Sequence, residues 1–184
     1  LGNQHQNKLK AKGDLAAAEL LLCEVLEVQR ETLGSRHPRT LASINNLGML
    51  LRAKGDFAAA EPLHREAVEV QREILGNRHP NTLTSINNLG VLLKAKGDLA
   101  AAEPLYREAL KGQRETLGSR HPHTLSTISS LGALLKAKGD LAAAEPLLRE
   151  ALKGRRETLG SRHPQTLRSI SNLGELLKEK GDQP

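Results

Sequence analysis

Aromatic side chains are almost missing from this chain. Phe57 and Tyr106 are the only two in 184 residues, and there is no tryptophan. That excludes a core or a binding surface built on aromatic anchors. A single cysteine, Cys23, excludes an internal disulfide framework and a cysteine-ligated zinc site; its place in the apolar stretch Leu20 to Leu26 predicts a core residue rather than a nucleophile. No apolar run approaches the roughly 20 residues that span a bilayer, and residues 1–12 are too polar for a secretory leader. The chain begins at Leu rather than Met, as a processed or excised segment would. What it does carry is charge. Lys and Arg number 27 against 21 Asp and Glu, a net +6, which biases it moderately toward acidic partners. With 38% apolar and 26% charged residues the composition suits a soluble, folded protein.

The dominant signal is repetition. Leu-Gly-x-Arg-His-Pro starts at Leu33, Leu75, Leu117 and Leu159, a fixed spacing of 42, and Lys-Gly-Asp recurs with the same spacing from Lys12 to Lys180. Residues 80–121 and 122–163 differ at only 8 of 42 positions. A period of this length marks stacked supersecondary units. The chain reads as one array over 1–184: a degenerate first repeat (1–37), full repeats over 38–79, 80–121 and 122–163, and a final lone helix over 164–184.

Each repeat reads as two helices. Pro38 suits the first helical turn, where a missing N–H costs nothing. Leu41, Ile44, Leu47, Leu50 and Leu51 follow at helical spacing. Gly55 can adopt the left-handed conformation that stops this helix, and Asp56 can cap the next. The second helix is expected to turn Phe57, Ala60, Leu63, Ala67, Val70 and Ile74 to the core, and to pair Glu61 with Arg65 one turn on. Pro62, Pro104 and Pro146 should bend its start. Gly112 and Gly154 fall mid-helix; weakened helix ends are favoured over close approach of a neighbouring helix.

Leu47-Gly48, Leu51, Gly55, Ala60 and Ala67, repeated from Leu89-Gly90 and again 42 residues later, resemble the tetratricopeptide signature. The 42-residue unit, with Asn45-Asn46-Leu47-Gly48, Ala60-Glu61-Pro62-Leu63 and Leu75-Gly76-Asn77-Arg78-His79-Pro80, is similar to the repeats of kinesin light chains. It departs from them in having aliphatic residues (Ile44, Leu51, Leu93, Leu148) at core positions that are aromatic in the family. The resemblance implies an all-α fold, a right-handed α-solenoid of antiparallel helix pairs, whose first helices line a concave face that holds extended peptides. Carried over by position, the peptide-binding residues are Asn45 and Asn46, Asn87 and Asn88, Ser129 and Ser130, and Ser171 and Asn172. Arg52, Lys94, Lys136 and Lys178 lie further along the same helices, and Arg168 joins them. An Asn amide can hold a peptide's N–H and C=O together, and the cations favour acidic side chains or a terminal carboxylate. The other reading of these residues is a solvated helix face. Ser129-Ser130 cannot grip a backbone bidentately, so affinity is expected to be strongest around Asn45 to Asn88.

The ends depart from the pattern. Leu1 to Gln6 looks like an inter-repeat turn, yet eight steps separate His5 from Gly13 against eighteen from His37 to Gly55, so ten residues of a first helix are missing. Glu175 and Glu179 make the last helix more polar, as an array end requires; drift at a fragment boundary would read the same.

His37, His79, His121 and His163 invite a metal. Successive repeats stand at least a helix-packing distance apart, about 8–10 Å, whereas zinc ligands each lie ~2 Å from one ion. The ladder therefore reads as turn residues. No strand precedes a Gly-rich phosphate loop, and Ser and Thr lack a His–carboxylate partner. The expectation is a non-enzymatic, cofactor-free cytoplasmic scaffold for a protein or peptide ligand, with no membrane partner. A helical-repeat RNA reader is the second reading; the modest charge and the lack of stacking aromatics stand against it. A third is a solenoid that self-associates through its array ends.

Overall fold

Helices alternate with tight turns along this chain because every repeat carries its own stop and start chemistry. In a computed structural model, which describes the backbone of residues 2–181 and the side chains of residues 14–181, the described residues form helices and turns without a strand. They are α1 (Gly2–Leu33), α2 (Pro38–Lys54), α3 (Phe57–Leu75), α4 (Pro80–Ala95), α5 (Leu99–Thr116), α6 (Pro122–Ala137), α7 (Leu141–Leu159) and α8 (Pro164–Gly181). The chain is all-α, and consecutive helices pack in pairs as in a solenoid. It divides into two compact units, residues 1–76 and 77–184. In the first, α2 packs on α1 and α3; in the second, α4 to α8 each pack on their chain neighbours, with α4 also touching α6, and α6 touching α8.

The periodic histidines explain the helix starts. The Nδ1 of His37, His79, His121 and His163 accepts the backbone N–H of Arg39, Asn81, His123 and Gln165, each at 3.2 Å. The ring thus takes the part usually given to Ser or Asp, and it must carry its proton on Nε2 to do so. At the stop, Gly55 takes φ 85° and its N–H donates to the Arg52 carbonyl. Asp56, Asp98 and Asp140 then accept the N–H of Ala59, Ala101 and Ala143 at 3.0 Å. Asp98→Ala is expected to cost about 1 kcal/mol in urea unfolding, and Asp98→Asn close to nothing, since Asn caps equally well. Helices α3, α5 and α7 run through Pro62, Pro104 and Pro146 without interruption.

The first-type helices bury most of the residues their periodicity predicts: Leu41, Ile44, Leu47 and Leu51 are core, while Leu50 is only half-buried. The second-type helices do not. Helix α3 buries Ala60, His64, Ala67, Val68 and Gln71, while Phe57, Leu63 and Ile74 are only half-buried and Val70 no more than that. The reason is close approach. A Cβ on Gly48 would lie 2.9 Å from Cε1 and Nε2 of His64, so the centre of the helix contact passes through a glycine and the polar ring that covers it. Gly112 and Gly154 correct the sequence expectation in the same way. Both are buried, and a Cβ on Gly112 would stand 2.5 Å from Leu83 Cδ2. These are sites of helix contact, not weakened ends.

Helix α1 brings two further corrections. It runs unbroken through Lys12-Gly13-Asp14, where the other repeats turn. The expected turn over Leu1 to Gln6 is helical from Gly2, with its side chains outside the described residues. Cys23 is exposed rather than core; among the described residues of its unit, α1 packs closely on α2 and reaches α3 through the Arg30–Glu66 ion pair. Leu20 and Leu21 beside it are 75% and 63% exposed. Helix α8 likewise leaves Leu167, Ile170 and Leu177 exposed, although their equivalents Leu125, Ile128 and Leu135 are core.

Candidate functional site

The predicted site residues separate by unit. In the first, Asn46 is exposed, and Asn45 and Arg52 are half-buried; Asn45 donates from Nδ2 to the Leu41 carbonyl at 3.2 Å. In the second, Asn87 has a structural task. Its Oδ1 accepts from Thr127 Oγ1 at 3.1 Å, which ties α4 to α6. Lys94, Ser130, Arg168 and Asn172 come together around one cavity of about 250 Å³. Lys94, Lys136 and Asn172 line a second, which also carries Glu175 and Glu179. Asn87, Asn88 and Lys178 line neither. Ser129 and Ser130 therefore stand at the first cavity, where Asn87 and Asn88 do not.

Charge is sorted between surfaces. The carboxylates of the second-type helices are held in ion pairs. Glu103 pairs with Arg107 at 2.7 Å and with Lys138 at 2.5 Å; Glu145 pairs with Arg149 at 2.8 Å and Lys180 at 2.9 Å. Hydrogen bonds from Lys138 and Arg107, and from Lys180 and Arg149, hold these two carboxyls below the usual range. Arg114–Glu150 at 2.7 Å and Arg120–Glu157 at 2.8 Å join residues of successive repeats in the same manner. Lys136, a first-helix cation, has partners in Glu175 at 3.1 Å and Glu179 at 3.8 Å, which gives those two substitutions in the last helix a role.

The first cavity has no such neutralisation. No Asp or Glu lines it, while Lys94, Arg155 and Arg168 do. Burial lowers the Lys94 ammonium from its usual value, and Arg168 and Lys136 add to the shift. Burial, then repulsion from Arg168, lowers Arg155. Arg155 is only 6% exposed, and sequence reasoning missed it because it lies on α7, a second-type helix. A signal existed in the repeat itself: the equivalent positions are Gln71 and Gln113. Among the described residues no three His, Cys, Asp or Glu side chains gather where they could hold a metal ion; the rings of His121 and His123 simply stack, with centroids 5.3 Å apart. No helix among the described residues is long and apolar enough to cross a membrane.

A sequence profile described as tetratricopeptide repeat matches residues 9–73, 41–115, 87–157 and 123–184. No curated protein matches the chain. Among solved structures, a Podosopora anserina protein described as a putative kinesin light chain with nearly identical TPR-like repeats superposes with a TM-score of 0.77 at 30% identity, over 96% of this chain and 84% of its own. A variant of that same protein gives 0.79 at the same identity and coverage. BtubC (BKLC) from P. vanneervenii gives 0.80 at 25% identity, over 94% of this chain and 69% of its own. These are repeat scaffolds of a kind that binds other proteins, and with matches spread over nearly all of its length the chain belongs to the tetratricopeptide repeat family.

Proposed function

We propose that this chain is a non-enzymatic cytoplasmic scaffold that holds an extended acidic peptide along its first-type helices. The observation that carries this reading is the cavity of the second unit, where Lys94 and Arg168 face a space lined by hydroxyls, an amide and no carboxylate. A peptide carboxylate entering there meets cations in a space that no acid lines, and charge-assisted hydrogen bonds of this kind are about twice as strong as neutral ones. Asn172 and Ser130 line the same cavity and supply donors and acceptors for the peptide backbone. On α2 the same helix positions carry Asn45, Asn46 and Arg52.

The test is a screen of acidic and neutral peptide arrays, followed by fluorescence anisotropy on the ligands found. Lys94→Glu is expected to weaken an acidic ligand at least about tenfold, since one lost charge-assisted contact is worth at least ~1.4 kcal/mol. Asn87→Ala is expected to lower stability rather than affinity, because its amide is bonded to Thr127. Equal binding of acidic and neutral peptides would refute the reading.

Self-association keeps a separate argument in the exposed face of α8, where Leu167 is 52% exposed. Light scattering that stays monomeric over a wide concentration range would remove it. Nucleic acid has no comparable support: Tyr106 is buried, so it offers no face on which a base could stack.

A further inference from the structure

The eight positions that separate residues 80–121 from 122–163 are not scattered. They are Asn81/His123, Thr84/Ser126, Ser85/Thr127, Asn87/Ser129, Asn88/Ser130, Val91/Ala133, Tyr106/Leu148 and Gln113/Arg155. Five of the residues that the later repeat carries line the first cavity: Ser126, Ser129, Ser130, Ala133 and Arg155. Four of those five are smaller than their counterparts, and the fifth adds a positive charge. Arg168, on the same wall, stands where earlier repeats have Ser126, Thr84 and Ala42. The third repeat has thus lost side-chain volume and gained one cation at this place, and the last helix adds a second.

Arg155 is the centre of that change. Its Nη1 donates to Ser129 Oγ at 3.0 Å and to Ser169 Oγ at 2.5 Å, both neutral acceptors, and its Nε–H has no partner. A buried cation without a counter-charge costs several kcal/mol of desolvation, and the Gln of the other repeats would avoid that cost. A bound anion offsets it. The charge count decides which anion. Lys94, Arg155 and Arg168 are three cations, and the lining holds no acid; a carboxylate would leave two of them unmatched, whereas a phosphomonoester brings close to two negative charges and three acceptor oxygens. Guanidinium groups match phosphate oxygens in pairs, and the three serine hydroxyls can donate to the remainder.

We propose that the cavity walled by α4 to α8 is a binding site for a dianionic phosphoryl group, with Arg155, Lys94 and Arg168 as its cationic partners. The source is a phosphorylated serine or threonine of a bound peptide, an assignment that rests on the peptide-scaffold reading above; the phosphoryl site itself does not.

The experiment keeps the two apart by using small probes on the full chain: sodium orthophosphate, acetyl-alanyl-phosphoseryl-alanine amide, the same peptide without phosphate, and sodium acetate at matched ionic strength. The readouts are the Arg155 Nε–H cross-peak in a 15N-labelled sample and the thermal midpoint. Orthophosphate is expected to shift the cross-peak saturably and raise the midpoint, and acetate to do so only at concentrations at least about tenfold higher. R155Q, which installs the residue present at positions 71 and 113, is expected to fold and to lose at least about tenfold in phosphate affinity; R168S, which installs the residue of position 126, is expected to weaken it in the same direction and serves if R155Q does not fold. A phosphopeptide that binds at least about tenfold tighter than orthophosphate assigns the source to a peptide, and equal binding assigns it to free phosphate. Acetate binding as tight as phosphate, or unchanged phosphate binding in the arginine variants, would overturn the proposal. Failure of every acidic peptide in the array, with phosphate still bound, would remove the scaffold reading alone.

Discussion

Between pH 7 and pH 4.5 the first unit is expected to lose about 2.5 kcal/mol of stability through one side chain, His64. The imidazole is fully buried and lies against Gly48. Burial is the main cause that lowers it from 6.5 to about 4, and the Arg52 charge adds to this; the Gly48 backbone pulls weakly the other way and is outweighed. The sign follows from which state binds the proton first. Above pH 6.5 the ring is neutral folded or unfolded, and the folded state carries no penalty. Below that value the unfolded chain takes up a proton that the folded chain refuses, so stability falls by about 1.4 kcal/mol per pH unit until the folded ring titrates near pH 4. His64→Leu isolates the effect, because Leu148 already occupies the equivalent place over Gly132. Urea unfolding, with native-state hydrogen exchange of the α2 and α3 amides, at the two pH values measures the difference. A variant as acid-sensitive as the parent would show that the ring reaches water.

That residue also marks where the sequence stopped being legible. Helix boundaries were readable because each rests on local chemistry: Pro38 for a start, Gly55 for a stop, Asp56 for a cap. The core of the first-type helices was readable because Leu41, Ile44 and Leu47 are apolar at helical spacing. The second-type helices bury their small and polar residues instead, Ala60, His64, Ala67 and Gln71, so a search for apolar periodicity found the edges of the stripe and missed much of its centre. The candidate site divides along the same line. Lys94, Ser130, Arg168 and Asn172 came from family resemblance, which points to first-type helices, and they do share a cavity. Arg155 lies on a second-type helix, to which the resemblance gives no role, and only the comparison of repeat with repeat exposes it. Asn87 shows the limit of residue type alone: an amide suited to gripping a peptide is equally suited to gripping Thr127.

The glycines give the second large effect, and its sign depends on the neighbour. Gly112→Ala would gain roughly 1 kcal/mol of helix propensity on an isolated helix. In the folded chain the new Cβ would sit 2.5 Å from Leu83 Cδ2 and 2.9 Å from Cδ1. Leu83 is itself 1% exposed, so it has no open space to move into, and overpacking of this kind costs about 1–3 kcal/mol. The net expectation is a loss of up to about 2 kcal/mol, growing with Gly112→Val, whose second and third carbons enter the same contact. Gly154→Ala should behave alike, because Leu125 presses on it in the same manner. Gly174, one period beyond Gly132, is the control. A Cβ there would meet nothing within 4 Å, so Gly174→Ala should raise stability by up to about 1 kcal/mol. Chemical denaturation of the three variants would show losses at 112 and 154 and a gain at 174. A gain at all three would mean that these glycines are ordinary weak points in their helices, and that α4 and α6 do not need the close approach of α5 and α7 to hold their place.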